Sequence, residues 1–148
     1  MDYKKVEKIF RVVGIKDSGA YADFDAEVPK TAQKFLTRLD EVENYSGTEI
    51  ALFEPKREAN QLEGHYYVGL IVKETPKEVP DLMDYIETAQ VYVTTRRKIS
   101  NIGNLHENLS KWADDQGYKR DLESYIVETY HPMENSEEDV EIFLPIHI

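Results

Sequence analysis

Residues 85–99 read YIETAQVYVTTRRKI, and the way this stretch is parsed decides the rest of the chain. Val91, Tyr92, Val93, Thr94 and Thr95 in series have the composition of a long strand, because β-branched and aromatic side chains fit a pleated, half-buried surface. Directly after it, Ser100 or Asn101 can cap a helix in which Ile102, Leu105, Leu109 and Trp112 share one face, and Gly117 is placed to end it. Two further strand-like stretches follow, 122–130 and 139–148, joined by the acidic connection 133–138. The second half therefore predicts strand, helix, strand, strand.

The first half predicts the same order. Val6, Ile9, Phe10, Val12, Val13 and Ile15 make residues 4–16 a long strand ending near Gly14 and the Asp17-Ser18-Gly19 turn cluster. Pro29 suits the first position of a helix, and Ala32, Phe35, Leu36, Leu39 and Val42 recur on one helical face, giving a helix over about 28–43. Tyr45-Ser46-Gly47 breaks the pattern before a short strand at 49–54, and Gly64 opens an aromatic, β-branched strand at 65–72. Pro76 and Pro80 close this half.

The expectation is one α+β domain over 1–148, built from two β-α-β-β units, about 1–80 and about 81–148, with an antiparallel sheet. The seam between two such units is a natural place for a central ligand cleft. Six unrelated elements in a generic α+β domain is the alternative.

Composition narrows the function classes. A domain of 148 residues buries roughly 70% of its unfolded surface, and 41% hydrophobic with 32% charged residues is ordinary globular usage. Acidic residues outnumber basic ones by 29 to 18, a formal net charge of -11, so the summed field repels phosphate backbones and no direct nucleic-acid binding is expected. No segment approaches the roughly 20 apolar residues of a membrane span, and Met1-Asp2-Tyr3-Lys4-Lys5 runs into a strand pattern and not a signal peptide, so a cytoplasmic protein is expected. Without cysteine there is no disulfide, thiolate nucleophile or Cys-ligated zinc, and the four scattered histidines form no His-x-x-x-His pair. Neither a metal nor a cofactor is expected.

The stretch 125–130 carries the clearest chemistry. Alternation puts Ile126, Glu128 and Tyr130 on one face and Tyr125, Val127 and Thr129 on the other. Glu128 thus faces either water from an edge strand or an apolar cavity, where desolvation would make it seek a cation or a hydrogen-bond donor. Glu141 poses the same question, and either carboxylate could pair with Arg96, Arg97 or Arg11 on a neighbouring strand. Ten tyrosines, several of them in strands, suit a pocket for flat ligands or plain sheet packing. There is no Gly-x-Ser-x-Gly elbow, no convincing Ser-His pair and no glycine-rich phosphate loop, which leaves general acid or base chemistry by Glu128 with a tyrosine.

Four segments of the second half resemble the GyrI-like family, which includes effector-binding domains of bacterial transcription activators. They are Ala89-Gln90-Val91-Tyr92-Val93, the helix end Leu109 to Tyr118, Val127-Glu128-Thr129-Tyr130, and Val140-Glu141-Ile142-Phe143-Leu144-Pro145-Ile146. The first half is similar through Val13-Gly14, Leu52-Phe53-Glu54-Pro55 and Tyr66-Tyr67-Val68-Gly69. The resemblance implies duplicated SHS2-like units and a stand-alone form, since no residues are left for a helix-turn-helix. It implies three activities: binding or sequestering of drug-like, cationic or aromatic small molecules; cofactor-free hydrolysis of reactive cyclopropane-bearing compounds; and gyrase inhibition by protein contact. A partner such as DNA gyrase or a transcription regulator would meet the acidic surface around Glu134 to Glu141. The resemblance makes Glu128 the pocket carboxylate and Tyr130 its strand neighbour, and these two the catalytic pair in a hydrolase. Tyr92, Trp112, Phe53 and Tyr67 are its candidate pocket walls.

Overall fold

The computed structural model describes residues 3–133 and 137–147. Six strands and two helices follow one another as β1 (Lys4–Ala20), α1 (Phe24–Leu36), β2 (Tyr45–Phe53), β3 (Glu63–Val72), β4 (Asp84–Lys98), α2 (Ile102–Asp115), β5 (Ile126–Pro132) and β6 (Glu138–Ile146), giving a mixed α+β fold. Every strand pairing is antiparallel. The strands run β1-β3-β2-β5-β6-β4 and β4 returns to β1, so the sheet closes and leaves no open edge.

Strand alternation sorts the apolar side chains into three clusters. Phe10, Val12, Ile50, Leu52, Tyr92, Val127 and Phe143 come from five strands and fill the inside of the closed sheet. On its outer face, Phe35 of α1 packs with Val13, Ala51, Tyr66, Val68 and Leu70. Leu105, Leu109 and Ala113 of α2 pack separately over Val93, Val140, Ile142 and Leu144. Each helix thus covers its own outer patch, and the β2–β5 pairing runs between the patches: Ala51, opposite Glu128, belongs to the α1 cluster, and Ile142, opposite Glu128 on the other side, to the α2 cluster.

The observed elements shift several expected boundaries. α1 starts at Phe24, four residues before the expected start near Val28, because Phe24 packs against Tyr21, Phe53 and Tyr66 at ring-centroid distances of 5.1, 6.0 and 5.0 Å. Pro29 therefore lies inside the helix, where it leaves one backbone hydrogen bond unmade. The helix stops at Leu36, and a 3-10 turn, Leu39–Glu41, carries Val42 into the core. The Asp17-Ser18-Gly19 cluster does not turn, since all three pair with β3 opposite Tyr66, His65 and Gly64. Tyr45-Ser46-Gly47 is a strand start with a register irregularity, and Gly47 accommodates it at φ 90.

β5 begins at Ile126, later than expected. The Asp121 carboxylate accepts from the Glu123 amide at 2.9 Å and the Ser124 hydroxyl at 2.8 Å, folding residues 121–124 into a turn. α2 follows a 3-10 turn, Ile99–Asn101, and ends before Gly117, whose φ of 83 is the left-handed stop glycine provides. A cap by the Asn101 side chain and the strand end at Ile148 fall outside the described residues.

Candidate functional site

Between α1 and the first turns of α2 lies a pocket of about 740 Å³, within the 300–1,000 Å³ typical of small-molecule sites. Phe24, Val28 and Ala32 form its α1 wall, and Ile102 and Gly103 of α2, with Ile99 of the preceding 3-10 turn, form the opposite wall. Its base is made by β2 and β5, through Phe53, Ile126, Glu128 and Tyr130. The side-chain alternation expected for 125–130 is observed: Ile126, Glu128 and Tyr130 line the pocket, while Val127 packs inside the sheet.

Glu128 is only 6% exposed and flanked across the strands by Ala51 and Ile142, so its carboxylate has little water around it. Two donors compensate. The Tyr130 hydroxyl donates to Oε1 at 2.6 Å, and the His106 ring approaches Oε2 through Nε2, also at 2.6 Å. An ionised carboxylate can only accept, so Nε2 carries a proton in this arrangement. Burial first, then the Glu128 charge, pushes the Tyr130 phenol well above its ordinary value, which keeps it a donor. Each carboxylate oxygen retains acceptor capacity, so a third group can still approach.

The pocket is electrostatically one-sided. Asp25, Glu49, Glu54, Glu128 and Glu138 line it, against Lys56 and the titratable His106. Glu54 is engaged at the rim by Arg57 at 2.8 Å and by the His65 ring at 3.1 Å. Burial, then the charge of Glu138, raises the Glu49 carboxyl. Among the described residues no cluster of three His, Cys, Asp or Glu side chains could hold a metal, and no helix is long and apolar enough to cross a membrane.

Of the six residues singled out from sequence, the fold brings Glu128, Tyr130 and Phe53 together in the pocket. Tyr92 is fully buried inside the closed sheet, its ring 5.6 Å from Phe10 and 5.8 Å from Phe143. Tyr67, one residue out of phase with the outward-facing Tyr66, meets His65 and Tyr125 edge-on at 6.1 and 6.0 Å. Trp112 stacks on Tyr3 at 5.6 Å and is not among the residues that line the pocket. Glu141 accepts from the Thr94 hydroxyl at 3.2 Å, while Arg96 pairs with Asp139 at 3.2 Å and Arg11 with Glu87 at 3.4 Å, so neither arginine is the partner of Glu128. That partner, His106, escapes a search for paired histidines. Its signal is the spacing from Ile102, which puts both on one flank of the apolar face of α2. Glu134, Asn135 and Ser136, part of the acidic surface expected to meet a protein partner, lie outside the described residues.

No family model matches the chain, and no curated protein does. Solved structures share its fold. SAV2435 bound to tetraphenylphosphonium superposes with a TM-score of 0.74 at 13% identity, over 99% of this chain and 94% of that one. EcmrR in a DNA complex gives 0.67 at 15% identity, over 98% of this chain and 57% of that one. A hydrolase from Listeria innocua gives 0.57 at 10% identity, over 98% and 91%.

Proposed function

We propose that this domain binds lipophilic organic cations in the pocket between α1 and α2, with Glu128 as their counter-charge. The observation that carries the reading is a 6% exposed carboxylate on a pocket wall shared with Phe24, Val28, Ala32, Phe53, Ile102 and Ile126. A cation brought there meets the charge in a medium of low polarity, where attraction is several-fold stronger than in water. Phe24, Phe53 and Tyr130 add ring surface against which a cation or a flat ligand packs favourably. The shared fold of SAV2435, solved with an organic phosphonium ion, supports this ligand class. So does the sequence resemblance to the GyrI-like family.

In this reading the chain is two β-α-β-β repeats, β1-α1-β2-β3 and β4-α2-β5-β6, and the pocket is the cleft at their seam. Support comes from the matching order of elements and from the separate helix clusters on either side of the β2–β5 pairing. Titration with tetraphenylphosphonium tests the function. The Glu128→Gln variant, checked for an unchanged melting profile, binds at least about tenfold more weakly, a loss of about 1.4 kcal/mol. Equal affinity removes the role given to Glu128.

One arrangement favours a second reading as a cofactor-free hydrolase of strained electrophiles. Glu128 is fixed between two proton-bearing groups, Tyr130 and His106, an arrangement suited to activating water while a donor protonates an opening ring. Incubation with a cyclopropane-bearing alkylator, followed by mass spectrometry, distinguishes a product heavier by one water from unchanged, bound compound.

A further inference from the structure

We propose that His106 is the resident counter-cation of the pocket, so that a permanent cation binding at Glu128 expels one proton from the imidazole. This rests on the cation-binding reading above and adds to it a coupling between ligand and proton.

The geometry makes His106 the group placed to neutralise Glu128 in the free protein. Its Nε2 is 2.6 Å from Oε2, and it is the only ion-pair partner of Glu128 among the described residues. The carboxylate side chain is 8% exposed and the imidazole 30%, so one partner is sealed in and the other reaches water. The ring lies on the α2 wall of the same pocket, so a ligand seated against Glu128 lies beside it. Two positive charges cannot share one buried carboxylate without repulsion, and the fixed charge of the ligand cannot be given up. The imidazole can give up its own. Nδ1 has no hydrogen-bond partner among the described residues, so the departing proton is the one on Nδ1, and it leaves to solvent. Nε2–H stays in place as a donor to Glu128, which keeps the site formed in both states.

The other titratable and charged groups around the pocket are Tyr21, which precedes α1, Asp25 on α1, Glu49 on β2, Glu54 and Lys56 just after it, Glu128 and Tyr130 on β5, and Glu138 on β6. Tyr21 and Tyr130 are both raised and stay protonated near neutrality. Glu54 is held ionised by Arg57. Glu49, raised by burial and then by the charge of Glu138, is a second candidate source of a released proton, and it is separable by substitution.

The test is calorimetric titration of the full chain with tetraphenylphosphonium, in buffers of different ionisation enthalpy, from about pH 5.5 to about pH 8. The wild type releases up to about one proton per cation on the acid side, and its association constant rises with pH by at most about tenfold per unit. In His106→Asn the proton released per bound cation is lost and the pH profile flattened, whatever the affinity, whereas in Glu49→Gln the release per bound cation persists. Histidine NMR of the wild type, with and without the phosphonium ion, serves independently of any variant: the bound form titrates at lower pH. Binding without proton exchange, or undiminished release in His106→Asn, overturns the coupling while leaving the cation-binding reading intact. Absence of binding at every pH overturns that reading and the coupling with it.

Discussion

The Tyr130 hydroxyl donates a 2.6 Å hydrogen bond to Oε1 of Glu128, two residues earlier on the same face of β5. Because Glu128 is buried, Tyr130 is half-buried and the acceptor is a carboxylate, the bond belongs to the strong class. Tyr130→Phe removes the donor and keeps the ring, so it lowers unfolding stability by about 1–3 kcal/mol at neutral pH. Urea denaturation measures this, and an unchanged midpoint means that the carboxylate does not depend on Tyr130.

Burial and Glu138 hold the Glu49 carboxyl above its ordinary value of 4.5. A carboxyl raised by folding binds its proton more tightly in the folded chain, so its stabilising contribution is complete below its unfolded value and is lost as pH climbs through the raised one. At neutral pH an ionised Glu49 therefore opposes folding. Glu49→Gln raises the melting temperature at pH 7, and the gain shrinks as the pH falls to about 4.5 and below. A lower melting temperature at pH 7 contradicts the burial argument.

Gly69 faces Gly14 across the β1–β3 pair, and the backbones approach so closely that a Cβ on Gly69 would overlap the Val13 carbonyl oxygen and lie 2.6 Å from the Gly14 Cα. Neither obstacle is a side chain that can swing away. Gly69→Ala costs on the order of 3 kcal/mol or prevents folding. Gly103, also on the pocket wall but with nothing within 4 Å of a built Cβ, supplies the contrast: Gly103→Ala in α2 gains about 0.5–1 kcal/mol. Similar effects at the two positions would show that close approach is not what requires Gly69.

Leu82 is 87% exposed and sits at φ 68, a left-handed conformation that L side chains adopt at a cost of about 1–2 kcal/mol. Asparagine tolerates that region better, and there is no packing to lose. Leu82→Asn therefore stabilises the chain by about 0.5–1 kcal/mol in thermal or chemical unfolding, and a loss of stability shows that the leucine makes a contact worth its strain.

Periodicity in the sequence carried the order of elements and the face on which Glu128 and Tyr130 lie, because both are set by local backbone geometry. Closure of the sheet could not be read there, since it depends on β4 pairing with β1 and β6, and β2 with β5, across long separations. The same limit separated true pocket residues from misplaced ones. Tyr66 and Tyr67 are equally aromatic neighbours, and only the register of β3 decides that one faces α1 and the other the interior. His106 was hidden because its role arises from two segments, α2 and β5, meeting over the sheet. Boundary errors at Pro29 and Gly19 came from local breakers overruled by tertiary contacts, the aromatic packing of Phe24 and the ladder to β3.

Selection of ligands by charge at Glu128 separates two ions of matched shape and opposite sign. Tetraphenylphosphonium and tetraphenylborate present the same four phenyl rings to the apolar walls. A buried carboxylate at the base of the pocket predicts that the phosphonium ion binds and that the borate ion binds at least about a hundredfold more weakly, a difference of about 2.8 kcal/mol. Comparable affinity for the two ions, measured by calorimetry on the same protein, would contradict a pocket that selects its ligand through Glu128.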